Sequence, residues 1–178
     1  MAFWRDAIGA DTKRAFRWVV YLGISEVPRI AAKKIDKPKF EVNTVEHHYM
    51  GHKFKFPGIM SWQDISATFV DFGFGDDTVM SLLKYISKAG YHPPINESDL
   101  SNSMSKSRSV ASLGLIKIAQ LDEEGGETET WMLHNAWISA VSPSTLDYSS
   151  DELSEVEVTI VYDWAELNTP PTRQRVFP

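Results

Sequence analysis

From Glu155 to Trp164 the chain alternates without a break. Val156, Val158, Ile160, Tyr162 and Trp164 are apolar, while Glu155, Glu157, Thr159, Val161 and Asp163 between them are mostly acidic or polar. A period of two is the pattern of a strand with one face on a core and the other in water. An aliphatic and aromatic face backed by an acidic one suits an antiparallel sheet whose outer side meets solvent or something negatively charged.

The 178 residues are enough for one domain with its own core. A hydrophobic content of 43% with 12% aromatics excludes a disordered chain. Cysteine is absent, which rules out disulfides, thiolate zinc sites and cysteine nucleophiles, and fits folding in a reducing cytoplasm. The opening MAFWRDAIGADTK has no apolar export core, because Asp6 and Asp11 interrupt it. No run approaches the ~20 apolar residues of a membrane helix, so the chain reads as soluble. The formal net charge of −6 is unevenly spread: no Lys or Arg lies between Lys117 and Arg173, whereas Lys33, Lys34, Lys37 and Lys39 cluster early. Such asymmetry can create complementary surfaces that join copies, against the plain alternative of a solvated charge pattern without a partner. Tight duplex binding is disfavoured, since it needs Lys and Arg clustered over a groove-sized face.

The spacing predicts a first strand over Arg14–Gly23, with Phe16, Trp18, Val20 and Leu22 on one face, followed by a basic connector to Pro38. A second strand over Phe40–His48 turns near Gly51 into a third, His52–Phe56, which meets a turn at Pro57-Gly58. Trp62–Phe72 reads as a strand with Ile65, Ala67 and Phe69 inward. Val79, Leu82, Leu83 and Ile86 then form one helical stripe, capped by Asp76 or Asp77 and stopped at Gly90, with Lys84 and Lys88 outward. The Ser-rich segment 97–109 reads as a loop. Ala111–Leu121 and Thr130–Val141 read as strands joined by the turn at 122–127, and Pro143 ends the second. The expected fold is mainly β: an antiparallel β-barrel or sandwich of about six to seven strands with one flanking α-helix. Residues 1–13 form an arm, 14–166 the domain and 167–178 an extended tail.

Catalytic patterns are thin. His48 and His52 would share a strand face near His47, but a metal would need a third ligand such as Glu46 or His134, and no zinc-binding spacing is met. The Phe72–Asp77 stretch, FGFGDD, lacks the Walker lysine and reads as a turn and helix cap. No serine sits in a nucleophile elbow. The acids Glu155 and Glu157 share an exposed face, which is more often a wet surface than an acid/base pair. Most of the six tryptophans fall in proposed strands and read as core or inter-subunit packing, because no Lys or Arg is interleaved around Trp131, Trp137 and Trp164 to make a nucleic-acid stacking platform. We expect no catalytic residue, metal or cofactor.

The order of elements, RAFRWVVYLG, then KFKFPGIMSWQDISATF leading into the helix, then NAWISAVSPSTLDYSSDELSEVEVTIVYDW, resembles the tail tube proteins of contractile-tailed bacteriophages. The likeness covers roughly Arg14 to Glu166 and is most specific in the closing L-D-Y and V-x-V-T-I-x-Y-D-W elements. It departs in the basic connector, the Ser-rich loop and the Pro-rich tail. The related secretion-system ring proteins share the implied fold. The resemblance implies a non-enzymatic virion protein, assembled in the host cytoplasm, whose hexameric rings stack into a hollow inner tube. Its partners would be further copies of itself, the tail sheath, the baseplate or hub, the tail terminator, and the tape measure protein and duplex DNA passing through the lumen. A tube initiator or hub-proximal ring, or a secretion-system ring, is the alternative; a small β-barrel ligand binder or hydrolase is the outside reading. A channel for DNA must not bind phosphate, so an acidic lining fits such a bore. On this basis Glu155, Glu157 and Asp163, together with Asp64 and Asp71, are expected to line the lumen. Lys33, Lys34, Lys37 and Lys39 are expected to contact an acidic surface of the next subunit or ring.

Overall fold

The computed structural model describes residues 13–23, 31–73, 77–93, 95 and 103–169. Nearly all of the amino-terminal arm, most of the tail after 167, and parts of the basic connector and the Ser-rich loop lie outside the described residues, as does the cap candidate Asp76. In chain order the elements are β1 (Trp18–Tyr21), β2 (Ala32–Ile35), β3 (Lys39–Tyr49), β4 (His52–Gln63), β5 (Ile65–Val70), α1 (Thr78–Lys88), α2 (Lys106–Leu113), β6 (Ile116–Leu121), β7 (Glu127–His134), β8 (Trp137–Pro143), β9 (Glu155–Val161) and β10 (Trp164–Asn168). One sheet has the order β1-β6-β7-β10, a second β2-β5-β9-β8, and β3-β4 form a separate hairpin. Every pair is antiparallel. The mainly β architecture is as expected, but it is a sandwich rather than a closed barrel, and the described residues hold ten strands and two helices.

The core lies between the two four-stranded sheets. Ile116, Ile118, Leu133 and Ala165 from the first sheet meet Ile65, Ala67, Phe69, Val156, Val158 and Ile160 from the second, all at most 4% exposed. Strand β9 supplies its apolar parity to this layer as the alternation requires. It ends at Val161, however, and Tyr162-Asp163 carries the chain across to β10 in the other sheet. The expected long strand 130–141 likewise divides, because Asn135 takes a left-handed φ of 54° and sends β8 into the second sheet. The two corners are latched together. Asp163 accepts a hydrogen bond from Asn135 Nδ2 at 2.8 Å, and its own N–H donates to the His134 carbonyl at 3.1 Å.

Helix α1 begins at Asp77, whose Oδ1 accepts from the Met80 N–H at 2.8 Å, and stops before Gly90 with φ 109°. Its buried face is Thr78, Ser81, Leu82 and Tyr85, one position off the expected stripe, and leaves Leu83 52% exposed. Tyr85 explains the rotation, since its hydroxyl accepts the N–H of Ile138 at 3.2 Å within the core. Burial pushes the Tyr85 pKa up. Helix α2 replaces the end of the expected serine loop and the start of the expected strand at Ala111. Ser105 caps it through the Arg108 N–H. Phe16, expected inward, precedes β1 in a turn and is 75% exposed.

The β3–β4 hairpin stands apart. Its strands of 11 and 12 residues reach roughly 35 Å at the usual strand rise. Its turn is made by Met50 and Gly51, both at positive φ. At its base Phe40 meets Trp62 edge-on at 5.6 Å, and Trp62 in turn packs on Tyr162 at 6.0 Å. Pro57-Gly58 is not a turn but a bulge, where the register slips between the Val42–Met60 and Thr44–Pro57 pairs. A Cβ on Gly58 would sit 2.9 Å from the Asn43 carbonyl, so glycine is required there. The extra residue lies in β4 and inverts the faces: Val42 and Met60 share one side, and Val45 and Phe56 the other.

Candidate functional site

The outer face of the second sheet gathers the residues singled out on β9. Cross-strand pairing puts Glu157 beside Thr68 and Ser142, Thr159 beside Ser66 and Ala140, and Glu155 beside Val70. Short and hydroxyl-bearing side chains therefore dominate it. Glu157 accepts from Ser66 Oγ at 2.6 Å. Glu155 is paired with Lys33, whose pKa is raised by that hydrogen bond and charge. Asp64 stands exposed in the one-residue break between β4 and β5; Asp71, just beyond β5, is half-buried, with its Oδ1 turned inward. Asp163 is not brought onto this face. It sits in the corner before β10, held by Lys106 at 2.7 Å and by Asn135, and these bonds lower its pKa.

The lysine cluster is divided among several partners. Lys33 takes Glu155, Lys39 lies 3.6 Å from Asp36, and Lys37 donates to Gln120 at 2.6 Å and to Glu129 at 2.8 Å. Lys33, Lys34 and Lys37 also line a cavity of ≈ 310 Å³ with Trp18, Ile35, Ile118 and Trp131, at the seam where edge strands β1 and β2 face each other.

One node escaped the sequence reading. Glu129 is 7% exposed and receives Lys13, Lys37 and the Trp131 indole N–H, the last at 2.6 Å. Burial alone would raise its carboxyl, but these three donors override that and hold it at about 2. Gln120 completes the node by donating to the Arg14 carbonyl at 3.1 Å. Together they clamp the chain before β1 and the link between β2 and β3 onto the first sheet. The only signal in sequence was a glutamate on the parity of Trp131 and Leu133, an inward position for a charge.

Among the described residues the distal hairpin gathers a continuous strip of exposed apolar side chains. Val45, Tyr49, Phe54 and Phe56 share one side with His47 and His52, and those four are 49–58% exposed. Lys53, Lys55, Glu46 and His48 occupy the other side, with Lys53 3.6 Å from Glu46. His48 and His52 therefore do not share a face, as an unbroken strand would have required. No group of three His, Asp or Glu side chains suited to a metal occurs among the described residues.

No protein-family model and no curated protein matches this sequence. Solved structures do match over nearly the whole chain. A chain from the sheath-tube complex of an extracellular contractile injection system, PVC, superposes with a TM-score of 0.67 at 17% identity, covering 92% of this chain and 96% of that one. A chain from the tube-terminating cap of the anti-feeding prophage gives 0.67 at 20% identity, over 95% and 99%. A crystal structure of an Hcp protein gives 0.51 at 11%, over 89% and 96%. The shared property is the fold. It is the fold of chains found in contractile injection systems.

Proposed function

We infer that this chain is a non-enzymatic, ring-forming tube subunit of a contractile injection machine. The observation that carries the reading is the hairpin: a two-stranded ribbon with an aromatic side about half exposed, which a single copy leaves uncovered. The sheet edges at β2 and β8, unpaired among the described residues, add to it, because neighbouring copies that extend the second sheet around a ring would remove them. The outer face of that sheet then becomes the bore wall, with Glu155, Glu157, Ser66, Thr68, Thr159 and Ser142 toward the lumen and Asp64 and Asp71 near its rims. Short hydroxyl side chains and carboxylates keep such a wall wet and slippery to a passing polyanion, with Lys33 neutralised by Glu155 and Lys34 set at the β2 margin beside Thr68. Lys34 is the member of the basic cluster best placed to meet a neighbour.

The finer role is a ring of an injection or secretion system, including rings near a tube end, in preference to the repeating tube of a phage virion. The likeness to chains from an injection system's sheath-tube complex and a prophage cap supports this reading. In either setting the partners are further copies, a sheath and a baseplate. Negative-stain microscopy of the concentrated protein tests it: six-fold rings or hollow rods are expected. Single rings or short stacks favour a place at a tube end, and long rods a place along its length. A species that stays a single chain at every concentration, and that is absent from purified particles, overturns the reading.

A further inference from the structure

Resting on the ring reading and deepening it, we propose that the distal aromatic side of the β3–β4 hairpin docks on the acidic β8–β9 loop of a second copy of this chain. The donor surface is the strip formed by the pairs Val45–Phe56, His47–Phe54 and Tyr49–His52. The acceptor spans Ser144–Ser154. Leu146, Tyr148 and Leu153 there are 86%, 113% and 67% exposed, the most uncovered group of large apolar side chains outside the hairpin among the described residues. Each surface thus has aromatic or aliphatic area that its own chain leaves open, and burying one against the other removes both from water.

Charge favours the pairing. The loop carries Asp147, Asp151 and Glu152 and no cation. The aromatic side of the distal hairpin bears no carboxylate, and Lys53 and Lys55 stand on the opposite side of the same thin ribbon, against one carboxylate, Glu46, close enough for their field to reach a partner docked on the aromatic side. The rival acceptor is the outer side of α1, where Met80, Leu83 and Tyr91 are about half exposed. Among the described residues that side carries no carboxylate beyond the capping Asp77, so it offers the hairpin's lysines no acidic cluster to meet. The loop is also held ready. Its base is closed by the Ser144 N–H on the Glu155 carbonyl at 2.8 Å, and the Asp147 carboxylate accepts from the Ser149 N–H at 2.9 Å and hydroxyl at 2.8 Å. A preformed loop loses little freedom on docking. Because donor and acceptor are different patches, the contact can be made head-to-tail and passed from copy to copy around a ring or along a stack.

The test uses full-length protein and two charge-reversal variants, Lys53→Glu with Lys55→Glu on the hairpin, and Asp151→Lys with Glu152→Lys on the loop, which leave the Asp147 turn intact. All four positions are exposed, and unchanged circular dichroism and melting confirm that the variants fold. Each variant alone should need at least about tenfold more protein to assemble than the native chain, by sedimentation and microscopy. An equimolar mixture of the two, or both sets in one chain, should restore assembly, because every hairpin then meets a loop of opposite charge. Either variant assembling like the native protein, or no restoration in the mixture and the combined chain, overturns the interface while native rings leave the ring reading intact. Native protein that forms no rings under any condition overturns the ring reading and this interface with it.

Discussion

Val156, Val158 and Ile160 of β9 are at most 1% exposed, whereas Val45, Phe54 and Phe56 of the hairpin, laid out with the same alternation, are 49–57% exposed. Both stretches are strands for the same reason, a side-chain period of two. What differs is the covering layer. β9 meets the inner face of a second sheet, while the distal aromatic side of the hairpin stays about half exposed and the hairpin's packing on the sandwich is at its foot, where Trp62 meets Tyr162. A strand pattern therefore fixes that one side must be covered, and leaves open whether the cover comes from the same molecule or from another.

The contrast breaks first at the core. Phe69 is 2% exposed between the sheets. Phe69→Ala should cost about 3–5 kcal/mol in a urea melt, through lost burial and an unfilled cavity. A loss under about 1 kcal/mol would mean that the sandwich interior is not the tightly packed half of the molecule.

Next is the buried node at Glu129, which ties the arm before β1 and the root of the hairpin to the sandwich. Its folded pKa of about 2 lies below the ordinary 4.5, so it adds stability at neutral pH that is lost as pH falls from about 4.5 toward 2. Holding the carboxyl at about 2 rather than 4.5 is worth on the order of 3 kcal/mol. Glu129→Gln should lower stability at pH 7 by about that amount and flatten the acid limb of the stability curve. Glu127 and Asp163, also depressed by lysine partners, leave a residual slope. An unchanged acid limb in the variant would show that the node does not hold the hairpin root. Smaller again, Asp77→Ala removes the α1 cap and should cost about 1 kcal/mol by thermal melting.

How far the sequence could be read follows the same division. The inward residues of β5 and β9 and the Asp77 cap were legible, because local period and capping chemistry determine them. The two sheet changes were not, since Asn135 and Asp163 look like ordinary polar residues until their mutual hydrogen bond is seen. The α1 stripe came out one residue off because Tyr85, with a polar tip, found a buried N–H at Ile138, which no helical period records. Helix α2 was hidden by serines that are weak helix formers yet good caps. At the candidate site, the shared face of Glu155 and Glu157 was readable from parity. Their partners, the Lys33 ammonium and the Ser66 hydroxyl, lie 122 and 91 residues away in sequence and could come only from the fold.

The smallest effect on the isolated chain is the one that separates the two regions most sharply. Phe54 and Phe56 lie on the open side of the hairpin, beyond the bulge and away from the Trp62 foot. Replacing both with alanine deletes two aromatic rings, the same kind of change as Phe69→Ala, yet in the single chain those rings are half in water. The melting free energy should move by no more than about 0.5 kcal/mol, as for surface substitutions free of special geometry. Assembly should respond in the opposite way, since rings that stabilise nothing within one copy are free to serve between copies. Ring or rod formation is therefore expected to fall well below the native level at equal concentration, read by sedimentation alongside the melt. If the melt drops by several kcal/mol instead, the hairpin is part of the core after all. If neither quantity moves, the aromatic strip has no cover in either state, and the distinction between a self-covered sandwich and a neighbour-covered hairpin fails.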